Sequence, residues 1–247
     1  MKVSAVVVSH GHPRELEESL PALRPQVDEL VVIANIPNSV PDGVEAVHNA
    51  EPRGFAANAN AGIRRTTGEL VLTVNPDAVP APDAVAALRE FMEAHPRCGV
   101  AGPQMVFPDG SWQPSRRRFP TISGTIVRRT PLRLVIPQTH HFYLDEPPPE
   151  QPVQTDWMLA GFLMVRRSML EELGGFDEGF YLYGEDIDLC YRAARAGWER
   201  WYVPSAVVDH EHQAVTDRRF FTRATLWHWR GMARFVRKHP ERLRALV

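Results

Sequence analysis

Three acidic or imidazole-bearing clusters stand where an apolar stretch ends or a helix begins. In Asn75-Pro76-Asp77-Ala78 a carboxylate directly follows an apolar run. Aspartate there can simply form the turn. It can also act as a hard oxygen ligand that holds a divalent cation, Mg2+ or Mn2+, against a diphosphate. The second cluster closes the stretch Gly174-Gly-Phe-Asp177-Glu-Gly-Phe-Tyr-Leu-Tyr183-Gly-Glu185-Asp186-Ile-Asp188. Acids at a helix start gain about 0.3 to 1 kcal/mol from the helix dipole, so capping explains part of it. Three acids within four residues, behind an aromatic and glycine-rich approach, exceed what capping needs, and a general base suits such a place. The third, Val208-Asp209-His210-Glu211-His212, offers imidazoles that serve either as surface groups or as metal or diphosphate contacts.

Two further stretches carry small residues. Ser9-His10-Gly11-His12-Pro13 would let backbone groups approach a ligand, and a plain strand-to-helix turn explains it equally well. Glu51-Pro-Arg53-Gly54-Phe-Ala-Ala-Asn58-Ala-Asn60-Ala-Gly62 suits close approach of a helix to a ligand or to another backbone. Ala34-Asn35 says little by itself.

These clusters need elements to hold them. Val3 to Val8, Glu29 to Ala34 and Glu69 to Val74 are continuous apolar runs, the pattern of strands covered on both faces. Between them, Arg14 to Leu23 and Asp83 to His95 carry helical stripes: Leu16, Leu20 and Leu23 on one, Val85, Leu88, Phe91 and Met92 on the other. Strand alternating with helix predicts an α/β fold with a parallel sheet. Ligands of such sheets sit beyond the carboxyl ends of the strands, where Ser9, Asn35 and Asp77 fall. From about Thr125 to Val153 the pattern lapses, and Glu146-Pro-Pro-Pro-Glu150-Gln-Pro152 removes backbone donors, so a loop or lid is expected. Trp157 to Val165 reads as one buried strand. Helices are expected at Ser168 to Leu173, stopped by Gly174-Gly175, at Glu185 to Ala196, stopped by Gly197, and in the basic tail. The halves look interdependent.

The chain has 247 residues, 44% hydrophobic and 23% charged, which excludes wholesale disorder and a stapled mini-protein. Cys98 and Cys190 lack metal-ligand spacing and cannot form a disulfide framework, which favours a reducing cytoplasm. No apolar run approaches the roughly 20 residues of a spanning helix, and the N-terminal apolar stretch is too short for a signal peptide, so a cytoplasmic location is expected. Beyond Asp217, nine basic residues face the single acid Glu241, a charge of +8 that leaves -10 for the rest of a chain whose net charge is -2. Such a tail can dock on its own acidic body, or rest peripherally on an anionic membrane at the inner face of the plasma membrane through Leu226, Trp227, Trp229, Met232 and Phe235. No nucleic-acid reader motif accompanies it, and no nucleic-acid partner is expected.

As an ordered series, VVVSHGHP, RGFAANANAGI, GELVLTVNPDA, DGSWQPSRRRFPT, WMLAGFLMVRR, GGFDEGFYLYGEDIDLCYR and VVDHEH resemble the inverting, nucleotide-sugar-dependent glycosyltransferases of family 2. The likeness covers nearly the whole chain and is close to a subgroup containing rhamnosyltransferases of bacterial polysaccharide and cell-wall assembly. It implies a GT-A fold: a Rossmann-like, mostly parallel central sheet flanked by helices, with a C-terminal helical extension. The implied organisation is a catalytic domain over 1–215, with a nucleotide-binding half (1–110) and an acceptor-binding half (111–215) holding the Pro-rich loop near 125–153, followed by a basic extension over 216–247.

By the same resemblance, Asp77 occupies the last acid of the family's DxD metal motif, with Asn75 in place of the first, and His210 is a further contact to metal or diphosphate. Asp186 matches the base of the ED motif, with Glu185 its neighbour and fallback. Ser9, Gly11, Asn35, Arg53, Gly54 and Asn58 fall in the nucleotide-facing segments. Trp157, Gly161 and Tyr183 fall in the acceptor half, where Phe180 and Tyr181 are further sugar-stacking candidates and Arg116-Arg117-Arg118 are candidates for an acceptor phosphate. The implied reaction moves a sugar, rhamnose from dTDP-rhamnose being favoured, to a saccharide or lipid-linked saccharide acceptor, and a homodimer is left open. Ala34 and Pro52 depart from the family, where Asp and Asn are usual, so base recognition is altered or weakened. They admit a rival reading as a non-catalytic nucleotide-sugar-binding subunit, against which Glu185-Asp186 stands. A nucleotidyltransferase would need a glycine-rich triphosphate loop that Ser9-His-Gly-His12 does not supply.

Overall fold

The computed structural model describes residues 1–130, 132, 135, 136, 148–211 and 222–242. Its centre is a sheet built first from β1 (Val3–Ser9), β2 (Glu29–Ala34), β3 (Val47–His48) and β4 (Leu70–Val74), all mutually parallel. The sheet continues through β5 (Ala78–Pro80), β6 (Cys98–Val106), β11 (Phe162–Arg166) and β12 (Glu199–His210), in the order β3-β2-β1-β4-β11-β6-β12-β5. Short strands β7 (Trp112–Gln113) and β9 (Val153–Gln154) pair with β6 and β12, while β8 (Arg116–Arg117) and β10 (Trp157–Met158) form a separate ribbon.

Alternate residues of β1 explain its unbroken apolarity. Val3, Ala5 and Val7 pack into one layer with α1 (Pro13–Leu23) and α3 (Ala84–Ala94). Val6 and Val8 pack into the opposite layer with α2 (Phe55–Ile63), α5 (Arg167–Leu173), α6 (Glu185–Arg195) and α7 (Arg223–Lys238). Both faces of the sheet are thus covered. Pro13 starts α1 at the position where a missing N–H costs nothing. Gly174, at φ 73°, ends α5 in the left-handed cap that side chains disfavour.

The α/β class and the three parallel strands at the start stand as expected, and the whole sheet is mixed. β11 enters antiparallel between β4 and β6, pairing Phe162 with Val74 and Val165 with Val100. Two expectations are corrected. The stretch Trp157 to Val165 is not one strand: it breaks at Leu159–Gly161 into β10 and β11, because the chain there leaves the ribbon to enter the main sheet. The expected loop from Thr125 begins later, since α4 (Ile122–Arg129) runs into it, capped by Thr121 Oγ1 accepting from Gly124 N at 3.0 Å. Much of the Pro-rich segment, including Glu146 and Pro147, lies outside the described residues, as do His212, Arg218, Arg219 and Arg244. Neither Cys98 nor Cys190 is in a disulfide, and burial pushes both thiols up to about 12, which leaves them inert. Among the described residues, no helix is long and apolar enough to cross a membrane.

Candidate active site

Because β1, β2 and β4 are parallel neighbours, Ser9, Asn35 and Asn75 all emerge at one edge of the sheet. Antiparallel β11 begins at that same edge, so Gly161 lands beside Asn75, whose N–H donates to the Gly161 carbonyl at 2.8 Å. β12 ends there too, with His210 paired to Ala78 in β5. Topology therefore gathers residues more than a hundred positions apart.

Around Gly161 the fit is close. A Cβ at that position would stand 3.1 Å from His210 Nε2 and 3.3 Å from Asn75 Nδ2. His210 is buried, with Nε2 3.5 Å from Asp77 Oδ1 and Nδ1 2.9 Å from Gln113 Oε1. Burial pulls its pKa down to about 4, so the ring is neutral at ordinary pH. A neutral ring that donates from Nδ1 to the Gln113 carbonyl oxygen presents the Nε2 lone pair toward Asp77.

On the other side of the same dipeptide, Ala160 N donates to Asp186 Oδ2 at 3.4 Å, and Ile187 N donates to Asp186 Oδ1 at 2.8 Å. Asp186 and Glu185 are both buried in the first turn of α6. Burial raises the pKa of each. For Glu185 the neighbouring Asp186 charge adds to the rise, whereas the Ile187 and Ala160 amides and the Arg117 guanidinium favour the ionised form of Asp186. Glu185 Oε2 makes no hydrogen bond among the described residues. Ionisation is therefore opposed more strongly at Glu185 than at Asp186. The Ala160–Gly161 step carries a buried carboxylate on one side and the Asn75, Asp77 and His210 group on the other.

The nucleotide-facing candidates form a polar scaffold. Asn35 accepts from Arg53 N at 2.8 Å and donates to Arg53 O at 2.9 Å, which fixes the backbone ahead of α2. Asn58 Nδ2 donates to the same carbonyl at 3.1 Å, and Asn49 Nδ2 links Asn35 Oδ1 and Asn58 Oδ1 at 2.9 and 2.6 Å. Ser9 Oγ donates to Ser39 O at 2.5 Å, and Gly11 N, at φ 85°, donates to Ser39 Oγ at 3.0 Å. The half-exposed Arg53 side chain lies 3.7 Å from Glu178. Gly54 has no room for a side chain, since a Cβ would meet Tyr181 O at 2.6 Å, and Phe55 N donates to that oxygen at 2.9 Å. Asn49, Ser39 and Gln113 were not singled out from the sequence. Each acts by holding another residue, a role that leaves no spacing signal.

The acceptor candidates divide. Trp157 packs into the core, with Nε1 donating to Arg118 O at 2.8 Å. Tyr183 stacks on His228 of α7 at 4.7 Å, and Tyr181 stacks on Trp227 at 4.4 Å. Phe180 is buried under Arg234. Arg116 and Arg117 are buried on β8. Asp188 points away from the site, toward α7. The basic helix docks on the body: Arg234 and Lys238 each reach Asp177 at 2.8 Å, and Lys238 and His239 reach Asp188 at 2.9 and 2.8 Å.

Comparison with known proteins identifies the family and the fold. The sequence model described as "Glycosyl transferase family 2" matches residues 4–174, a span that contains Asp77 and Gly161 and stops before Asp186. The chain is 31% identical over 238 residues to the N-acetylglucosaminyl-diphospho-decaprenol L-rhamnosyltransferase of Mycobacterium tuberculosis (strain ATCC 25618 / H37Rv), covering 86% of this chain and 77% of that one. It is 27% identical over 259 residues to rhamnosyltransferase WbbL of Escherichia coli (strain K12), covering 95% and 92%. Among solved structures, GalNAc-T7 with UDP, GalNAc and Mn2+ aligns at a TM-score of 0.68 and 15% identity, over 96% of this chain and 48% of that chain. The mannosyltransferase PcManGT from Pyrobaculum calidifontis, in complex with GDP-Man and Mn2+, aligns at 0.57 and 20%, over 87% and 58%. The chain thus spans less than two thirds of either solved chain, and at such identities the likeness is one of fold, the GT-A fold. With the family model covering more than half its length and rhamnosyltransferases aligning along most of the rest, the chain belongs to glycosyl transferase family 2.

Proposed function

We propose that this chain is an inverting rhamnosyltransferase, taking rhamnose from dTDP-rhamnose and delivering it to a saccharide or lipid-linked saccharide in polysaccharide or cell-wall assembly. The observation that carries the reading is the Ala160–Gly161 step, which has a base-like carboxylate on one side and the Asp77 and His210 group on the other. Asp186 removes the proton of the acceptor hydroxyl as its oxygen bonds to the anomeric carbon. The bond from that carbon to the diphosphate breaks on the opposite face, and the configuration inverts.

Asp77 and His210, a carboxylate and a neutral imidazole held 3.5 Å apart, fit a Mg2+ or Mn2+ ion and would hold it beside the donor diphosphate. Bound there, the ion would offset the charge that grows on the leaving diphosphate. Among the described residues no third acid, histidine or cysteine joins them. Arg53, Asn35 and Asn58 shape the nucleotide side through the backbone they pin. The same reading puts the chain at the cytoplasmic face of a membrane that carries the acceptor. The outward stripe of α7, Leu226, Trp229, Arg230 and Arg237, fits peripheral contact with anionic lipid. Equal flotation of the chain and of Trp229→Glu with anionic liposomes would remove that contact.

The test is a donor panel of dTDP-rhamnose, UDP-galactose, UDP-glucose, UDP-N-acetylglucosamine and GDP-mannose, read by calorimetry with and without Mn2+ and followed by transfer assays. Asp186→Asn is expected to lower turnover by at least about 10²-fold while donor affinity stays intact. Near-normal turnover in a folded Asp186→Asn protein would refute the assignment of the base.

A further inference from the structure

We propose that α7 is a positioning element for the proposed base, and that His228 and Gly231 act by fixing the Tyr183–Gly184 turn from which Asp186 is aimed. The inference rests on Asp186 being that base. Tyr183 and Gly184 are consecutive residues in the left-handed region, at φ 68° and 100°. A tyrosine there is strained and persists only where its surroundings hold it.

Those surroundings are supplied by α7. The Tyr183 ring lies on the His228 ring with centroids 4.7 Å apart and planes at 19°. Gly231 presents bare backbone to the turn, since a Cβ there would overlap the Tyr183 carbonyl oxygen. Before the turn, Tyr181 stacks on Trp227 and Asp177 binds Arg234 and Lys238. After it, Gly184 O accepts from Asp188 N at 2.9 Å, and Asp188 is tied to Lys238 and His239. The first turn of α6 is therefore gripped by α7 at both ends, with Asp186 between.

The contact that places the base is a long one, 3.4 Å from Ala160 N to Asp186 Oδ2. A small rotation of that helical turn would break it, and misplacing a reacting group by about 1 Å can cost about 10²-fold in rate. Among the described residues, the charged groups that act on Asp186 are Glu185 on its own helix and Arg117 on β8. None of them belongs to α7, so α7 acts through geometry.

Three variants of the full chain separate this from general packing: Gly231→Ala, His228→Ala and His228→Phe. Gly231→Ala and His228→Ala are expected to lower kcat about 10- to 100-fold, with Mn2+-dependent donor affinity within about twofold of the parent, because Asp77 and His210 are untouched. His228→Phe keeps a ring under Tyr183 and is expected to restore most of kcat. The ionisation of Asp186, followed by carbon-13 NMR of labelled aspartate, should shift in Gly231→Ala and stay in His228→Phe. That readout stands whether or not the right sugar donor has been found. An active parent whose Gly231→Ala and His228→Ala forms keep both kcat and the Asp186 titration would overturn the inference. Equal losses in His228→Phe and His228→Ala would overturn it as well. Should Gly231→Ala fail to fold, the His228 pair decides alone. A parent that transfers no sugar from any donor would count against the function proposed above, and the Asp186 titration would still judge the role of α7.

Discussion

At the scale of single residues, adjacent carboxylates are made unequal by what each can accept. Asp186 takes hydrogen bonds from two backbone amides and faces Arg117, while Glu185 is as deeply buried with fewer donors. Since burial raises both pKa values, the active ionised base is lost as pH falls through a value above the usual aspartate range of about 3.9. Glu185→Gln mimics the protonated neighbour. It is expected to keep kcat at pH 7 within a few-fold and to flatten the alkaline side of the kcat profile, where Glu185 would ionise. A loss as deep as that of Asp186→Asn would transfer the base role to Glu185. Asp77, Asp186 and His210 were legible as residue types at strand ends and helix starts. Gln113 was not, because an amide that orients a histidine can come from anywhere in the chain. Nor was the break at Leu159–Gly161, which continuous apolarity conceals.

At the scale of elements, α7 shows how a basic amphipathic stripe leaves its partner undetermined in sequence. Its apolar and basic residues suited either a membrane or the acidic body, and what decides between docked and undocked is tertiary: Phe235 and Met232 enter the core beside Asp177 and Asp188. Burial opposes ionisation of Asp177, but hydrogen bonds from Arg234, Lys238 and Gly179 N outweigh it and hold the carboxyl well below the usual range. A depressed folded pKa contributes stability that is complete above the unfolded value, about 3.9, and is lost as pH falls below it. Near-ultraviolet dichroism of the Tyr181 and Trp227 stack should therefore hold down to about pH 4 and weaken only as pH falls further. Asp177→Asn should lose about 1 kcal/mol of stability at neutral pH, the scale of a partly exposed ion pair, and should lose most of that acid dependence. An unchanged acid transition in Asp177→Asn would place the sensitive group elsewhere.

At the scale of the molecule, residues 1–110 and 111–215 share one sheet, because β11 and β12 from the second stretch lie among β4, β6 and β5 from the first. The parallel start was readable from three apolar runs, but an apolar run has no direction, so the antiparallel entry of β11 was not. That entry matters most, since it brings Gly161 to the strand ends where Asn75 and Asp77 wait. A second weld lies at Asn60, whose amide donates to Phe176 O at 2.8 Å and accepts from Phe176 N at 3.0 Å, both buried. Asn60→Ala would leave a peptide N–H and C=O of the second half without these partners, a cost of about 2 kcal/mol. If the halves fold as one cooperative unit, denaturant unfolding of Asn60→Ala should shift to a lower midpoint as a single transition, seen alike by tryptophan fluorescence and far-ultraviolet dichroism. Separate transitions by the two probes would mean that the halves unfold independently. The site would then be assembled by docking rather than by the sheet.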